Sequence, residues 1–175
     1  MMGQHLFKSL MSTTAIHQMH TSSPLGDVLL AATAQGLAGV WFVHRQQHMP
    51  DSSQWVIDHA HPTLKAAATQ LREYFDGQRQ SFEIQLQPTW GTSFQRAVWQ
   101  ALQRIPYGHT STYGDIARDI DNPKAMRAVG AAIGQNPHSI IVPCHRVLGA
   151  NGSLTGFAGG LDRKKHLLAL EATHA

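Results

Sequence analysis

Short apolar runs alternate with turn residues in the first third of the chain. The runs AIHQMH, DVLLAATA and LAGVWFV lie between residues 15 and 43, and SPLG and QG separate them. Runs of this length, bounded by proline, glycine and serine, are typical of strands joined by tight turns. The pattern predicts an antiparallel sheet of three strands. Residues 1–13 have no settled period, and we expect that end of the chain to be frayed.

From residue 61 onward the apolar residues recur every three or four positions instead. Pro62 suits the first turn of a helix, and Gly77 suits its end. One apolar stripe consists of Leu64, Ala68, Leu71 and Phe75. The spacing predicts an amphipathic helix that covers one face of the sheet.

The segment EIQLQPTWG, residues 83–91, places a proline and a glycine between two periodic regions. Such a break is typical of a connection between domains. We therefore predict a small N-terminal α+β domain over residues 1–90 and a C-terminal domain over residues 91–175.

Two helices are predicted directly after this boundary. The first begins with a capping box formed by Thr92 and Gln95. The second is the segment TYGDIARDI, which would bury Ile116 and Ile120.

A third helix is predicted in NPKAMRAVGAAIGQN, with Asn122 as its N-cap, Pro123 in its first turn and Gly134 at its end. It follows the preceding helix after the short turn DIDN. Two helices joined in this way have the proportions of a helix-turn-helix.

This third helix has an apolar face and a nearly bare face. The inward stripe consists of Ala125, Val129, Ala132 and Ile133. The outward face consists of Lys124, Arg127, Ala128 and Ala131, with Gly130 at its edge. Small side chains let a helix approach a nucleic-acid groove closely, but they also let it pack against another helix, and the pattern alone leaves both readings open.

Composition narrows the class of protein without naming a function. The chain is 42% apolar, with a net charge of +3 and a pI near 9.3, which suffices for a core and permits contact with phosphates without requiring it. No apolar run approaches the roughly 18 residues of a membrane-spanning helix. One cysteine cannot form an intramolecular disulfide, and the first residues lack the pattern of a secretory signal. We expect a soluble, cytoplasmic protein without membrane contact.

The single cysteine, Cys144, lies in the stretch IIVPCHRV. The β-branched run 139–142 predicts a short buried strand that ends at Pro143. A lone cysteine is most often a buried apolar residue, but His145 and Arg146 are candidate partners for a reactive thiolate. Because neighbouring residues of an extended chain point to opposite sides, His145 would reach the sulfur only through a bend or a bridging water.

Two further polar residues, Asn136 and Glu171, occupy positions that suggest a functional site. Asn136 precedes a proline, and this pair favours a turn whose side chain holds neighbouring backbone groups. Glu171 falls in the last turn of a helix that Asp162 can cap, where the helix dipole disfavours an anion. Glu171 is either a solvated end charge or one member of a glutamate–histidine–thiol relay.

The chain resembles the O6-alkylguanine-DNA alkyltransferases, also called methylated-DNA–protein-cysteine methyltransferases. The resemblance runs from Gly91 to Glu171 through GTSFQRAVWQAL, IPYGHTSTYGDIA, NPKAMRAVGAAIGQNP, IIVPCHRV and GFAGGLDRKKHLLALE. The N-terminal half matches more loosely, through SPLGDVLL, GL and LREYFDGQR. The resemblance implies an α+β fold. Its N-terminal domain has a sheet and a helix, and its C-terminal domain is mainly helical and winged-helix-like.

The resemblance also implies roles for individual residues. Cys144 would accept the alkyl group from O6 of guanine, or from O4 of thymine, irreversibly and once per molecule. Glu171, His145 and a water would remove the proton of the thiol, and Asn136 would brace the active-site turn. Tyr113 would crowd the target phosphate and donate toward guanine N3.

The remaining implied residues bind DNA or line the pocket of the flipped base. Arg127 would fill the gap left in the base stack, on a helix that enters the minor groove of double-stranded DNA. Its neighbours on this surface would be Lys124, Met126, Ala128 and Gly130. The pocket would be lined by Pro143, Val147, Phe157 and Ala158, the last two replacing the tyrosine and serine that family members often have. The resemblance implies a monomer with no metal and no dissociable cofactor.

Two other classes of function remain as alternatives. A Cys-His hydrolase would use the same pair with turnover, but it would not account for Arg127, Tyr113 or the helix-turn-helix. A non-catalytic lesion-binding protein of the alkyltransferase-like type would keep the DNA-binding face, yet such proteins typically lack the acceptor cysteine. Histidines 44, 48, 59 and 61 could bind a metal in principle, but no cysteine accompanies them.

Overall fold

The computed structural model describes residues 15–87 and 91–175. Its N-terminal sheet has four strands, β1 (His17–Thr21), β2 (Val28–Thr33), β3 (Gly36–Phe42) and β4 (Val56–Ile57). Their order in the sheet is β3-β2-β1-β4. The three predicted strands form the antiparallel part, and the prediction of only three strands is wrong. The fourth strand has two exposed residues and pairs in parallel with β1, so no apolar run marks it in the sequence.

Every residue of β2 and β3 is buried, because both faces of the sheet are covered. One face packs against helix α1 (Pro62–Phe75) and against Ile140 and Leu167 from the C-terminal half. The other face forms a small cluster around Trp41, with Trp55 from the following loop. One cluster of the hydrophobic core therefore contains buried residues from both halves of the chain.

The buried stripe of α1 consists of Leu64, Ala67, Leu71 and Tyr74. Ala68 and Phe75, which the sequence analysis placed on this stripe, are only partly buried. The stripe is rotated because the helix also has to bury Tyr74, whose hydroxyl has a buried partner in the C-terminal half.

The C-terminal half is mainly helical. Its helices are α2 (Ser93–Leu102), α3 (Tyr113–Asp119), α4 (Met126–Gly134) and α5 (Leu161–His174). The capping box of Thr92 and Gln95 at the start of α2 is confirmed, since each side chain bonds the other residue's backbone amide. Two short parallel strands, β5 (Ser111–Thr112) and β6 (Val147–Leu148), pair beside these helices.

Helix α4 begins later than predicted. Its N-cap is Ala125, which makes no side-chain capping bond. The amide of Asn122 instead donates to the carbonyl of Ala117 at 2.9 Å and so helps to close α3, and residues 122–125 form a turn before α4. The prediction of Asn122 as the N-cap is therefore wrong, whereas the burial of Val129, Ala132 and Ile133 is confirmed.

The run 139–142 is not a strand. His138 forms a single bridge to Val40 of β3, and the chain then turns. Ile140 has a φ of 73°, which is unusual for a β-branched residue and is tolerated where the surroundings fix the backbone. The turn ends in a 3₁₀ segment, Cys144–Arg146. Within residues 15–87 and 91–175, no helix is long and apolar enough to cross a membrane.

Candidate active site

Cys144 lies at the start of the 3₁₀ segment and is only 3% exposed. Its amide donates to the carbonyl of Val142 at 2.8 Å across Pro143, which closes a tight turn at this position. Burial raises the pKa of the Cys144 thiol, although a hydrogen bond from Asn136 and the charge of Lys164 oppose that increase. The resting sulfur is therefore a protonated thiol that needs a base.

Asn136 holds the turn that leads to the cysteine. Its side-chain nitrogen donates to the carbonyl of Val142 at 2.9 Å, and its side-chain oxygen accepts from the amide of His138 at 3.0 Å. This is the Asx turn that the Asn-Pro pair predicts. Removing the side chain would release both ends of the turn.

His145 is fully buried and points toward helix α5. Its Nε2 lies 2.7 Å from Oε1 of Glu171. The 3₁₀ geometry explains how His145 can follow Cys144 directly and still belong to the same site, because the backbone bends instead of running extended. The other ring nitrogen, Nδ1, is buried and has no hydrogen-bond partner among the described residues.

Glu171 is 1% exposed, so the reading of a solvated end charge is wrong. Its carboxylate accepts hydrogen bonds from the Tyr74 hydroxyl, His145 Nε2, Arg146 Nε, Arg146 Nη2 and the Gly108 amide, over 2.7–3.3 Å. Burial alone would raise the pKa of Glu171, but the bonds from His145 and Arg146 outweigh it and lower the pKa to about 2. The carboxylate is therefore ionised over the whole physiological range.

An ionised carboxylate can only accept, so Nε2 of His145 must have the hydrogen of that bond. Burial lowers the pKa of His145, although the hydrogen bond and charge of Glu171 oppose this. The neutral imidazole then has its lone pair on Nδ1. Glu171 thus fixes the tautomer in which the unpartnered nitrogen is a base.

A pocket of about 310 Å³ opens beside α4. Its lining residues are Gln47, His48, Tyr113, Gly130, Ala131, Ile133, Gly134, Gln135, Gly156, Phe157 and Ala158. Cys144 belongs to the apolar cluster that also contains Ile133 and that packs against Tyr113 and Phe157. Cys144 therefore belongs to the same apolar cluster as Ile133, one of the residues that line the pocket.

Of the predicted pocket residues, Phe157 and Ala158 line this pocket, whereas Pro143 and Val147 are not among its lining residues in the described ranges. Pro143 lines a different cavity, with Tyr107 and Arg146. The carbonyl of Val147 accepts a hydrogen bond from Lys164 Nζ. The hydroxyl of Tyr113 donates to the carbonyl of Thr155 at 2.9 Å.

The predicted DNA-binding residues lie together on the outer face of α4 and on the turn before it. Lys124, Met126, Arg127 and Ala128 are exposed, and Met126 is 50% exposed although it is apolar. Gly130 is half-buried beside the Tyr113 ring. The face is open to solvent, so it packs against no other helix within residues 15–87 and 91–175.

The sequence analysis did not identify Lys164, and it gave Arg146 a different partner from the one that the structure shows. Arg146 was a candidate partner of the thiol, but it binds Glu171 through two hydrogen bonds. Lys164 is fully buried and donates to Thr155 and Gly156 as well as to Val147. The spacing of Lys164, Leu167 and Glu171 puts all three on one face of α5, which is the signal that could have found it.

The start of α5 differs from the prediction as well. Its N-cap is Gly160, and Asp162 lies exposed in the first turn without capping the helix.

The described part of the chain contains no group of three or more His, Cys, Asp or Glu residues that could hold a metal ion.

Fold and site together define an α+β protein in which a helix-turn-helix shares an apolar cluster with a buried cysteine, and in which the histidine after that cysteine bonds a buried glutamate. Two family models match it. The DNA-binding domain of 6-O-methylguanine DNA methyltransferase matches residues 93–173, and the ribonuclease-like domain of the same proteins matches residues 16–88.

Relatives named methylated-DNA–protein-cysteine methyltransferase include those of Methanosarcina acetivorans and Haemophilus influenzae. The first is 50% identical over 86% of this chain and 95% of the relative, and the second is 43% identical over 90% and 87%. The crystal structure of Mycobacterium tuberculosis O6-methylguanine methyltransferase has a TM-score of 0.82 at 44% identity, covering 91% of this chain and 94% of that one. The OGT of the same organism in complex with DNA gives a TM-score of 0.83 at 43% identity, with the same coverage.

The chain belongs to the 6-O-methylguanine DNA methyltransferase family. This confirms the resemblance read from the sequence, and with it the class of DNA-repair methyltransferase. Neither the hydrolase nor the non-catalytic lesion-binding alternative is favoured by these relatives.

Proposed function

We propose that the protein repairs double-stranded DNA by moving the alkyl group of O6-alkylguanine to the sulfur of Cys144, once per molecule. One observation supports this above the others: a buried imidazole next to Cys144 in sequence is fixed by Glu171 with its basic nitrogen unpartnered. A structural cysteine needs no such base.

In the proposed reaction, a water passes the thiol proton of Cys144 to Nδ1 of His145. The thiolate then attacks the O6-alkyl carbon, so that a sulfur–carbon bond forms while the carbon–O6 bond breaks and leaves its electron pair on guanine. The guanine is protonated by a donor as it leaves, and the proton held by His145 replaces the one that the donor gives up. The product is a thioether, which has no acyl carbon for water to attack, so the protein is consumed in one event.

Tyr113 is the proposed donor to the leaving base, toward guanine N3. Its hydroxyl has one hydrogen, and in the free protein that hydrogen bonds the carbonyl of Thr155. When the base enters, the Tyr113 hydroxyl must therefore break its bond to Thr155 before it can donate to guanine. The carbonyl of Thr155 then loses this hydrogen bond.

For DNA binding we propose that α4 enters the minor groove and that Arg127 replaces the flipped nucleotide in the stack. Arg127 and Ala128 are exposed next to each other on a face of small side chains, which supports close docking. Lys124 lies in the turn before α4, where it can contact phosphate. Such an interface reads damage in the pocket more than sequence in the groove.

We further propose that O4-alkylthymine is a second substrate and that the protein acts as a cytoplasmic monomer. The site lies within one chain, and every contact of the relay comes from that chain. Sedimentation of the free protein at micromolar concentration tests the monomer, since a dimer mass would contradict it.

Intact mass spectrometry tests the central proposal. Incubation with a duplex that contains O6-methylguanine should add one methyl group to the peptide with Cys144, up to a 1:1 limit, and Cys144→Ala should take up none. Continued release of product beyond one equivalent would indicate a hydrolase. Binding of the duplex without any mass gain would indicate a non-catalytic lesion-binding protein.

A further inference from the structure

The loop between β3 and β4 brings two residues of the N-terminal half to the pocket beside α4. Gln47 and His48 line it, although every other lining residue comes from Tyr113 onward in the chain. Both are exposed, so they are not held there by burial in a core. The pocket therefore has one wall that belongs to the other half of the protein.

Hydrogen bonds tie this wall to the rest of the pocket. The amide of Gln47 donates to the carbonyl of Ala158 at 2.8 Å. Arg163, which is buried, donates from Nη1 to the carbonyl of His44 at 2.6 Å and to that of Gly159 at 2.9 Å. The loop and the segment that contains Phe157 and Ala158 are thus fixed to each other.

The loop backbone is also held in an unfavourable conformation. Arg45 and His48 have φ angles of 64° and 56°, in the left-handed region that residues other than glycine seldom adopt. Such conformations persist where the surrounding contacts fix them, and they concentrate at ligand-binding positions.

The same two residues line a neighbouring cavity of about 230 Å³, which also has Trp41, Trp55 and Trp99 in its wall. Gln47 and His48 therefore stand between two cavities. On the α4 side the pocket is lined largely by glycine and alanine, which have little side chain to remove. Only the replacement of bulkier lining residues by smaller ones would enlarge the pocket for a larger ligand.

We propose that Gln47 and His48 are specificity-determining residues that limit the size of the O6 substituent the pocket accepts. This inference rests on the proposed function, because it takes the pocket to be the place where the flipped base is held. The N-terminal half then selects among lesions in addition to supporting the fold.

The test compares single-turnover transfer from O6-methylguanine and O6-benzylguanine in the same duplex. The double variant Gln47→Ala/His48→Gly should raise the benzyl-to-methyl rate ratio about fivefold or more, and Gln47→Trp should lower it by a similar factor, since removing or adding side-chain bulk in a pocket changes discrimination by this order. Glycine at position 48 suits the left-handed backbone there. His44→Ala is the matched control, because His44 lies on the same loop outside the lining and, in the part of the chain that the structure describes, its side chain makes no hydrogen bond, whereas its carbonyl accepts from Arg163.

A ratio that stays within about twofold in all variants, with unchanged melting temperatures, would overturn the inference. A ratio that changes equally in His44→Ala would overturn it too, because the effect would then belong to the loop as a whole. Failure of the unaltered protein to methylate Cys144 at all would instead refute the proposed function and this inference with it.

Discussion

The imidazole of His138 donates a hydrogen bond from Nε2 to the carbonyl of Leu37 at 2.7 Å and so joins the active-site turn to strand β3. The amide of Val40 donates to Pro137, and the amide of Ser139 donates to Val40, on either side of this contact. The sheet of the N-terminal half thereby holds the backbone from which Asn136 reaches toward Cys144.

This contact predicts a pH dependence of stability. Burial lowers the pKa of His138 from 6.5 to about 4, although the bond to Leu37 opposes the shift. Between pH 6.5 and about 4, His138 is protonated in the unfolded chain but stays neutral in the folded protein. The free energy of unfolding therefore falls as the pH drops toward 4. The loss through this one group is on the order of 3 kcal/mol. Denaturant unfolding of His138→Gln, set against the unaltered protein over this range, should show a shallower slope, whereas His166→Gln, an exposed histidine on α5, should keep the original slope.

Glu171→Gln should weaken the fold because it breaks a buried ion pair with Arg146. Removing one partner of such a pair costs about 3–5 kcal/mol. Because the pKa of Glu171 is lowered to about 2, the stability it contributes is present above pH 4.5 and is lost as the pH falls toward 2. Chemical denaturation at pH 7 and at pH 3 measures both effects, and the difference between variant and unaltered protein should shrink at the lower pH. An equal difference at both pH values would show that the carboxylate charge is not what stabilises the fold.

His145→Gln should slow methyl transfer by about 100-fold or more at pH 7, because a positioned base contributes this much to proton removal. Burial raises the pKa of the Cys144 thiol, so the variant has to rely on hydroxide, and its rate should climb steadily with pH. Single-turnover rates between pH 6 and 10 test this. A variant whose rate stays low and flat across that range would show that His145 acts by holding structure and not as a base.

Lys164 and Lys165 form a matched pair on α5, one buried and one exposed. Burial lowers the pKa of Lys164 to about 8, while the charge of a Cys144 thiolate opposes the shift, so the two groups favour each other's charged forms. Lys164→Met should move the rise of the transfer rate to higher pH by about one unit, since a nearby cation lowers the pKa of a thiol. Lys165→Met should leave the profile in place. Identical profiles for the two variants would exclude an electrostatic role for the buried lysine.

Arg127→Ala should reduce repair of O6-methylguanine in a duplex more than transfer from free O6-benzylguanine. The free base does not have to leave a base stack, so its reaction does not depend on Arg127. In the duplex, unstacking the base costs a few kcal/mol, and Arg127 offsets part of this cost by filling the gap. Parallel rate measurements on the two substrates give the comparison, and Arg104→Ala, on the segment after α2, is a control for the loss of one positive charge. Equal losses on both substrates would remove the flipping role from Arg127.

The sequence by itself determined the elements whose pattern is local. Apolar runs predicted the first three strands, Thr92 and Gln95 marked the start of α2, and helical spacing predicted the buried stripe of Val129, Ala132 and Ile133 on α4. The exposure of the outer face of α4 was left open by the sequence. The motif around Cys144 likewise made His145 a candidate partner of the thiol, and the buried imidazole is the next residue in the chain. These features depend on residues a few positions apart, which is the range over which sequence patterns are informative.

Only the tertiary structure decided which distant groups meet. Glu171 and Arg146 are 25 residues apart, and Tyr74 and Glu171 are 97 apart, yet they share one buried carboxylate. The fourth strand and the loop with Gln47 and His48 have no periodic signal, because their positions are fixed by pairing and by hydrogen bonds to other parts of the chain. Burial is a collective property of the packed chain, and it converts an ordinary end-of-helix glutamate into the fixed anion of the site.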